Sequence, residues 1–190
     1  MDHSKQLRDK QEQGLVVFTQ KNTDYGDSFA VFGVVGVIVR MQDKITRIIN
    51  LLTCSSTWSS PPVIVQESLM DTSVDLFNYS TMAIMLLQEG DITGIATKKT
   101  ITGRVLQMKQ VHQQGLAHYQ ANSAALNAKL IECSVLQEFK LLSQKITESM
   151  NLTHNSIAIY NLPDIQLVLF DIHVFSGLVE ILHERWYPRN

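Results

Sequence analysis

The chain has few of the residues that mark redox, zinc or membrane proteins. Its 190 residues include two cysteines, Cys54 and Cys133, with no CxxC pair and no cluster of cysteine with histidine. Zinc sites use such ligands at short spacings, so this pattern argues against zinc, and it requires no structural disulfide. We expect both thiols to be reduced, as in intracellular proteins.

Long apolar runs and an excess of one charge are missing as well. The most apolar stretch, residues 29–39, has 11 residues and is too short to cross a bilayer. The net charge is −2, so composition favours neither duplex nucleic acid nor an anionic membrane as a partner. The first residues are polar and do not resemble an export signal. We therefore expect a cytoplasmic location.

Motifs that define several catalytic families are also missing. The sequence has no HExxH pair, nucleophile elbow, phosphate-binding glycine loop or dinucleotide fingerprint. Five of the six histidines are interpreted as surface or packing residues; they are His112, His118, His154, His173 and His183. The candidates for chemistry that remain are carboxylates and cations.

What the chain does have is a globular composition, with 45% hydrophobic and 18% charged residues. This composition and length are typical of one domain with a sizeable core. Residues 29–39 are interpreted as a loop or short helical turn, and residues 151–163 as irregular. Apolar spacing predicts helices over residues 4–21, 40–52, 63–88 and 165–186, and over 106–150 as one helix or two broken near Gly115. The predicted fold is mostly α, a helical bundle of about five or six helices.

Three acids recur every four residues on the predicted helix 63–88. Glu67, Asp71 and Asp75 fall on one helix face, which Asn78 continues. Like charges at this spacing repel one another, and a bound cation would remove that repulsion. Magnesium prefers a few carboxylates together with water and substrate phosphates. A solvated acidic surface is the alternative, but this helix is apolar around most of its circumference, which favours a metal or ligand site.

A cationic stripe lies on the preceding predicted helix. Arg40, Lys44 and Arg47 are spaced by four and three residues, so they share a face. Such a face is solvated, forms salt bridges to the acidic helix, or holds phosphate oxygens, for which arginine is well shaped. Asp43 lies one residue off the stripe, as a further metal ligand or a local ion-pair partner.

The turn-rich segment before these helices is the third candidate. Gly26 lies between two acids and allows a tight turn, so that Asp24 and Asp27 point the same way. Tyr25 could stack on a base. The alternative is a plain capping turn with Asp27 or Ser28 as the N-cap.

Together, three segments resemble the nucleotide modification associated domain 1 family of phages and bacteria. They are KNxDYGDS at residues 21–28, RxxDKxxR at 40–47 and ESxxDTxxDxxNY at 67–79. That family is thought to be related to the all-α nucleoside triphosphate pyrophosphohydrolases, the MazG and dimeric dUTPase group. The match covers roughly residues 15–90, and the last hundred residues contribute nothing to it.

The resemblance implies an all-α, metal-dependent protein that handles nucleotides, as a homodimer or tetramer. In the wider superfamily, acidic residues on two helices bind Mg²⁺ (or Mn²⁺), and water then cleaves an α–β phosphoanhydride. One of those helices usually carries an ExxE pair. Here Arg40, Asp43, Lys44 and Arg47 occupy its place. With one acid where two are expected, tight nucleotide binding without turnover becomes an alternative to a two-metal hydrolytic site.

The sequence therefore leads to two functional hypotheses and a structural one. The first is metal-dependent hydrolysis of a nucleoside triphosphate to monophosphate and pyrophosphate. In it, the catalytic and metal residues are Glu67, Asp71 and Asp75, the further metal ligands are Asp24, Asp27 and Asp43, and the nucleotide residues are Arg40, Lys44, Arg47, Tyr25 and Asn78. The second is a non-catalytic, phage-encoded protein that sequesters a host signalling nucleotide in the host cytoplasm. The third is a helical oligomer whose stripes form salt bridges between subunits.

We expect the nucleotide and metal site in a helical core formed by residues 1–96. Residues 97–190 would be a helical extension that packs on this core or forms oligomer contacts. The expected partners are a nucleotide ligand and further copies of the chain, with neither duplex nucleic acid nor membrane.

Overall fold

The structure is a computed structural model. It describes the backbone of residues 2–54, 63–94, 99–130, 132–153, 156–159 and 162–186. Side chains are described within residues 2–53, 69–94, 99–130, 135–149 and 164–182.

Six α-helices and one short β-hairpin make up the described chain. They are α1 (Ser4–Tyr25), a 3₁₀ turn (Ser28–Ala30), α2 (Gly33–Cys54), α3 (Val63–Gln88), α4 (Ile101–Ala128), α5 (Glu132–Ser149), β1 (Met150–Thr153), β2 (Ser156–Ile159) and α6 (Leu162–Trp186). The prediction of a mostly α bundle of five or six helices is confirmed. The hairpin is antiparallel, with Met150 opposite Ile159.

The hairpin corrects the prediction that residues 151–163 are irregular. Each strand has four residues. So short an element contains too few alternations of polar and apolar residues to be recognised from sequence periodicity. Pairing with the neighbouring strand, which the pattern of one strand does not reveal, stabilises it.

Helix α3 lies at the centre of the bundle and contacts α1, α2, α4 and α6. Every residue from Ser80 to Leu86 is buried, which agrees with the apolar character of this helix around its circumference. Helix α4 also packs on α1, and α5 packs on α2 and α6. The apolar core is one cluster to which all six helices contribute.

Helix α2 begins two turns earlier than predicted, at Gly33 instead of near residue 40. Its first backbone N–H groups find acceptors far away in sequence, because Val34 N donates to Asp91 O (2.8 Å) and Val35 N to Ile92 O (3.3 Å). Gly33 has φ of 60°, and a Cβ there would lie 2.5 Å from Gly94 N. The helix start depends on this long-range contact, which the local sequence does not show.

The helix break that was predicted near Gly115 lies instead between α4 and α5. Helix α4 runs through that residue and ends after Ala128, followed by a turn at Lys129 and Leu130. The glycine provides room for a neighbouring helix, because a Cβ at Gly115 would lie 2.6 Å from His173 Cδ2 on α6. It therefore serves close helix packing and does not interrupt α4.

Among the described helices, the window Asp164–Leu182 of α6 is long and apolar enough to cross a membrane by length and composition. In the bundle, 83% of that window is buried inside the protein. A core helix passes the same test, so the window is weak evidence for a membrane span. The sequence interpretation considered residues 29–39 and missed this longer stretch.

Candidate ligand-binding site

A cavity of about 440 Å³ opens between the C-terminal half of α1, the 3₁₀ turn, α2 and α3. Its volume falls in the range of small-molecule sites, about 300 to 1,000 Å³. The residues that line it are Val17, Phe18, Lys21, Asn22, Tyr25, Gly26, Ser28, Phe29, Arg40, Asp75, Asn78, Tyr79 and Met82. The N-terminal half of the chain supplies all of them.

The charged groups of this cavity gather around one carboxylate, Asp75. Lys44 Nζ lies 2.7 Å from Asp75 Oδ2, and Lys21 Nζ lies 3.7 Å from Asp75 Oδ1. Arg40 also lines the cavity, adds a third cation and is exposed. The side chain of Asp75 is 31% exposed and that of Lys21 60%. This Asp75 cluster (Lys21, Arg40, Lys44 and Asp75) therefore has an excess of positive charge that solvent or a ligand can reach.

Two side-chain amides, one on α1 and one on α3, also line the cavity. Asn22 is 8% exposed and Asn78 is 7% exposed. Within the described chain, neither Asn22 Nδ2 nor Asn78 Oδ1 has a hydrogen-bond partner. A buried polar atom in this state costs roughly 1 to 3 kcal/mol, and each of the two exposes less than 1 Å² of surface.

Aromatic rings form much of the remaining wall. Phe18 is 1% exposed and meets Phe29 edge to face, with ring centroids 5.8 Å apart. Tyr79 is partly buried, whereas Tyr25 is 72% exposed at the mouth. Flat apolar surfaces near polar amides are typical of sites for a planar, partly polar ligand.

A second charged group holds the loop that follows α1. Arg104 Nη2 donates to Asp27 Oδ2 at 2.8 Å, and Arg104 Nη1 donates to Glu89 Oε1 at 2.7 Å. Lys99 Nζ lies 2.6 Å from the same Glu89 oxygen. The Arg104 guanidinium also lies over the Phe29 ring, 5.2 Å from its centroid. This Arg104 cluster (Asp27, Glu89, Lys99 and Arg104) supports the part of the cavity wall that Phe29 forms.

Burial and pairing act in opposite directions on the pKa values of the Arg104 cluster. Burial by itself would lower the pKa of Arg104, but hydrogen bonds from its side chain to Asp27 and Glu89 raise it overall. Burial would raise the pKa of Glu89, but hydrogen bonds from Lys99, Gln107 and Arg104 lower it below its ordinary value. Both groups therefore stay charged in the folded chain at neutral pH.

The structure brings together five of the site residues that the sequence suggested. Tyr25, Arg40, Asp75 and Asn78 line the cavity, and Lys44 pairs with Asp75. Asp27 instead lies in the ion pair with Arg104, with a side chain only 3% exposed. Three acids and one cation are exposed and outside the cavity lining: Asp24 on α1, Asp43 and Arg47 on α2, and Asp71 on α3. The side chain of Glu67 lies outside the described residues.

The predicted divalent metal site involves carboxylates whose side chains the structure describes only in part. No group of three or more histidine, cysteine, aspartate or glutamate side chains capable of holding one occurs in the part of the chain with described side chains. Asp75 is within ion-pair distance of two ammonium groups, which would repel a further cation. The predicted contribution of Glu67 falls outside this test, so the Mg²⁺ or Mn²⁺ site stays a prediction.

Several residues of this region were absent from the sequence-based site, among them Lys21, Asn22, Phe29 and Arg104. Lys21 and Asn22 lie within the KNxDYGDS segment, but that segment was interpreted as a turn. Helix α1 in fact continues to Tyr25, which places Lys21 and Asn22 one turn before it on the cavity side. Phe29 and Arg104 carried no local signal, because their roles depend on contacts between segments about 75 residues apart.

Comparison of the chain with protein-family models, with curated proteins and with solved structures finds no match. The resemblance to the nucleotide modification associated domain 1 family therefore stays a prediction that depends on three sequence segments. The geometry of the cavity has to carry the functional argument.

Proposed function

We propose that the cavity binds a nucleotide and that its phosphate groups lie at the cationic mouth. The observation that carries this proposal is the Asp75 cluster, in which Lys21 and Lys44 lie beside one carboxylate and Arg40 also lines the aromatic cavity. Charge-assisted hydrogen bonds from ammonium and guanidinium groups to phosphate oxygens are among the strong ones in proteins. A ligand with several negative charges would balance the excess positive charge.

Binding without cleavage is the form of this function that the geometry favours. Asp75 is the one acid among the described residues that line the cavity, and the Lys44 ammonium lies 2.7 Å from one of its oxygens. A carboxylate held in this way is poorly placed to serve as a base or a metal ligand. A sequestering role toward a signalling nucleotide accords with this arrangement.

Hydrolysis to monophosphate and pyrophosphate is the second candidate. It is supported by the position of Asp71 one turn before Asp75 on α3, since Glu67 would continue the same stripe. Mg²⁺ or Mn²⁺ held by these three acids would supply the Lewis acid for such a reaction. Glu67 lies outside the described side chains and Asp71 outside the cavity lining, so we place this candidate second.

Isothermal titration with a panel of nucleoside triphosphates, deoxynucleoside triphosphates and signalling nucleotides tests the proposal. We expect binding that weakens as salt is raised, because the phosphate contacts are partly exposed. Lys21→Ala and Arg40→Ala should each weaken binding by about tenfold, the effect of one lost charge-assisted hydrogen bond. Lys140→Ala, which removes an exposed lysine of α5 outside the cavity lining, is the matched control and should leave affinity unchanged.

Chromatography of the same mixtures with and without Mg²⁺ separates the two candidates. Unchanged nucleotide after prolonged incubation supports sequestration. Release of pyrophosphate that depends on metal and is lost in Asp75→Ala supports hydrolysis. Absence of any binding across the panel would refute both.

Assembly into a homodimer or tetramer, which the resemblance implies, is part of the proposal. Sedimentation velocity on the purified chain, with and without nucleotide, measures it directly. A monomer under all conditions would contradict this part and leave nucleotide binding untouched.

A further inference from the structure

The inner part of the cavity differs chemically from its mouth. Lys21 and Tyr25 are largely exposed at the mouth, whereas Phe18, Asn22 and Asn78 are each more than nine-tenths buried. The buried residues carry no formal charge. The cavity is therefore cationic and open at one end, and aromatic with amide groups at the other.

The two amides belong to different helices that line the cavity. Asn22 belongs to the last turns of α1, and Asn78 to the middle of α3. A Cβ at Gly14 of α1 would lie 2.9 Å from Asn78 Oδ1, so the absence of a side chain at Gly14 makes room for this amide. Each amide nevertheless has a buried polar atom without a partner in the described chain. Both unpartnered atoms expose less than 1 Å², so a ligand in the cavity meets the part of each amide that lines it.

We infer that Asn22 and Asn78 read the edge of a nucleobase that enters the cavity ahead of its phosphates. This inference builds on the proposed function and adds the orientation of the ligand and the residues that select it. A primary amide presents a donor and an acceptor side by side, and nucleobase edges present the complementary pair. The aromatic wall of Phe18, Phe29 and Tyr79 offers flat surfaces for the ring.

The reverse orientation is disfavoured by electrostatics. A phosphate at the inner end would lose its hydration and meet neutral amides in place of cations. At the mouth it meets Lys21 and Arg40 and keeps part of its water. The base has the opposite preference, because burial of its faces is favourable and its polar edge can satisfy the two amides.

Titration of the full chain with single probes tests this inference. The probes are the triphosphates of adenosine, guanosine, cytidine and uridine, their deoxy counterparts, and inorganic tripolyphosphate. We expect one or two bases to bind at least about tenfold more tightly than the others and than tripolyphosphate, the discrimination typical of amide readout. Asn22→Leu and Asn78→Leu should each remove most of this base preference while changing tripolyphosphate affinity by less than about twofold.

A purely structural role for the amides makes a different prediction in the same variants. Leucine is close to asparagine in size and leaves no polar atom unpaired, so the free energy of unfolding should stay equal or rise. If the amides instead stabilise the fold, the leucine variants would have a lower free energy of unfolding and unchanged relative affinities for the bases. That result would overturn the inference.

The wild-type chain alone also decides the question if a leucine variant does not fold. Equal affinity for all bases and for tripolyphosphate would refute base readout and leave nucleotide binding at the cationic mouth intact. Discrimination between ribose and deoxyribose without discrimination between bases would place the sugar at the amides and likewise refute it. Failure of nucleotides and tripolyphosphate alike to bind would refute the proposed function itself.

Discussion

Two charged clusters flank the C-terminal end of α1, and they differ in burial and in balance. The Arg104 cluster pairs two cations with two acids, and the Arg104 side chain is 1% exposed. The Asp75 cluster sets three cations against one acid, and its carboxylate is 31% exposed. The charges of the Arg104 cluster balance without a ligand, whereas those of the Asp75 cluster do not.

This difference separates a structural role from a binding role. A buried arginine keeps its charge only when acceptors surround it, so the balanced cluster holds the loop between α1 and the 3₁₀ turn in place. A partly exposed excess of cations costs little in stability and attracts an anion. Both clusters contain residues of the same types, so their geometry and not their composition distinguishes them.

Removal of the Arg104 side chain is expected to have the largest effect. Arg104→Met would leave the carboxylates of Asp27 and Glu89 buried without their guanidinium partner. We expect the free energy of unfolding to fall by about 3 to 5 kcal/mol, the usual cost of breaking a buried ion pair from one side. Chemical denaturation measures this change.

Arg104→Lys provides the matched control for that loss. The lysine keeps the positive charge but cannot span both carboxylates with a planar fork. Its expected loss is therefore smaller than that of Arg104→Met. A loss below about 1 kcal/mol in the methionine variant would show that the cluster is not a structural clamp.

Low pH should destabilise the protein through a pair of histidines in the core. These residues are buried in the neutral form, in contrast to the charged Arg104 cluster. His112 and His173 stack with ring centroids 5.6 Å apart. Burial lowers the pKa of His112 from 6.5 to about 4, and burial together with the nearby His112 holds the pKa of His173 well below its ordinary value. The unfolded chain takes up protons below pH 6.5 that the folded chain does not.

The sign of the effect follows from these lowered pKa values. The contribution of these histidines to the free energy of unfolding is fully present above pH 6.5 and is lost as pH falls toward about 4. His112 alone should remove about 3 kcal/mol over that window. His112→Gln, which is neutral at every pH, should flatten the decline measured by denaturation at several pH values. An unchanged slope would mean that His112 is not buried in its neutral form.

Alanine substitutions at two glycines of α4 compare the packed interior with the surroundings of Arg104. A Cβ at Gly115 would lie 2.6 Å from His173 Cδ2, whereas a Cβ at Gly103 meets nothing closer than Thr100 Oγ1 at 3.4 Å. Gly115→Ala should cost about 2 kcal/mol through overpacking. Gly103→Ala should stabilise by about 0.5 to 1 kcal/mol, because alanine favours helix. Thermal unfolding checks both, and equal effects of the same sign would contradict the close packing of α4 on α6.

Helical periodicity was enough to predict the number of helices and the long buried helix α3. The start of α2 was missed because its first N–H groups bind the carbonyls of Asp91 and Ile92. The break near Gly115 was misplaced because a glycine interrupts a helix in one context and admits a neighbour in another. In each case the deciding contact joins segments far apart in the chain.

The site was predictable to the extent that it lies along single helices. The stripe spacing put Arg40 and Lys44 on one face of α2, and Asp75 and Asn78 on one face of α3. The structure brings these residues together at the cavity. The same spacing treated the three acids as equivalent, although Asp75 reaches the cavity and Asp71 is exposed outside its lining. Periodicity locates a face but does not show which of its residues a neighbouring helix covers.

Neutralisation of Asp75 should have the smallest effect on stability and sharpens the comparison most. The ion pairs of Asp75 are partly exposed, so Asp75→Asn should change the free energy of unfolding by less than about 1 kcal/mol, in contrast to Arg104→Met. It releases Lys44 and Lys21 from a competing carboxylate and removes a negative charge from the mouth. The affinity for nucleotide should therefore rise, by about three- to tenfold at low salt, and the gain should shrink as salt is added. Titration at two ionic strengths measures this change, and a loss of affinity in Asp75→Asn would show that the carboxylate itself contacts the ligand or a metal ion.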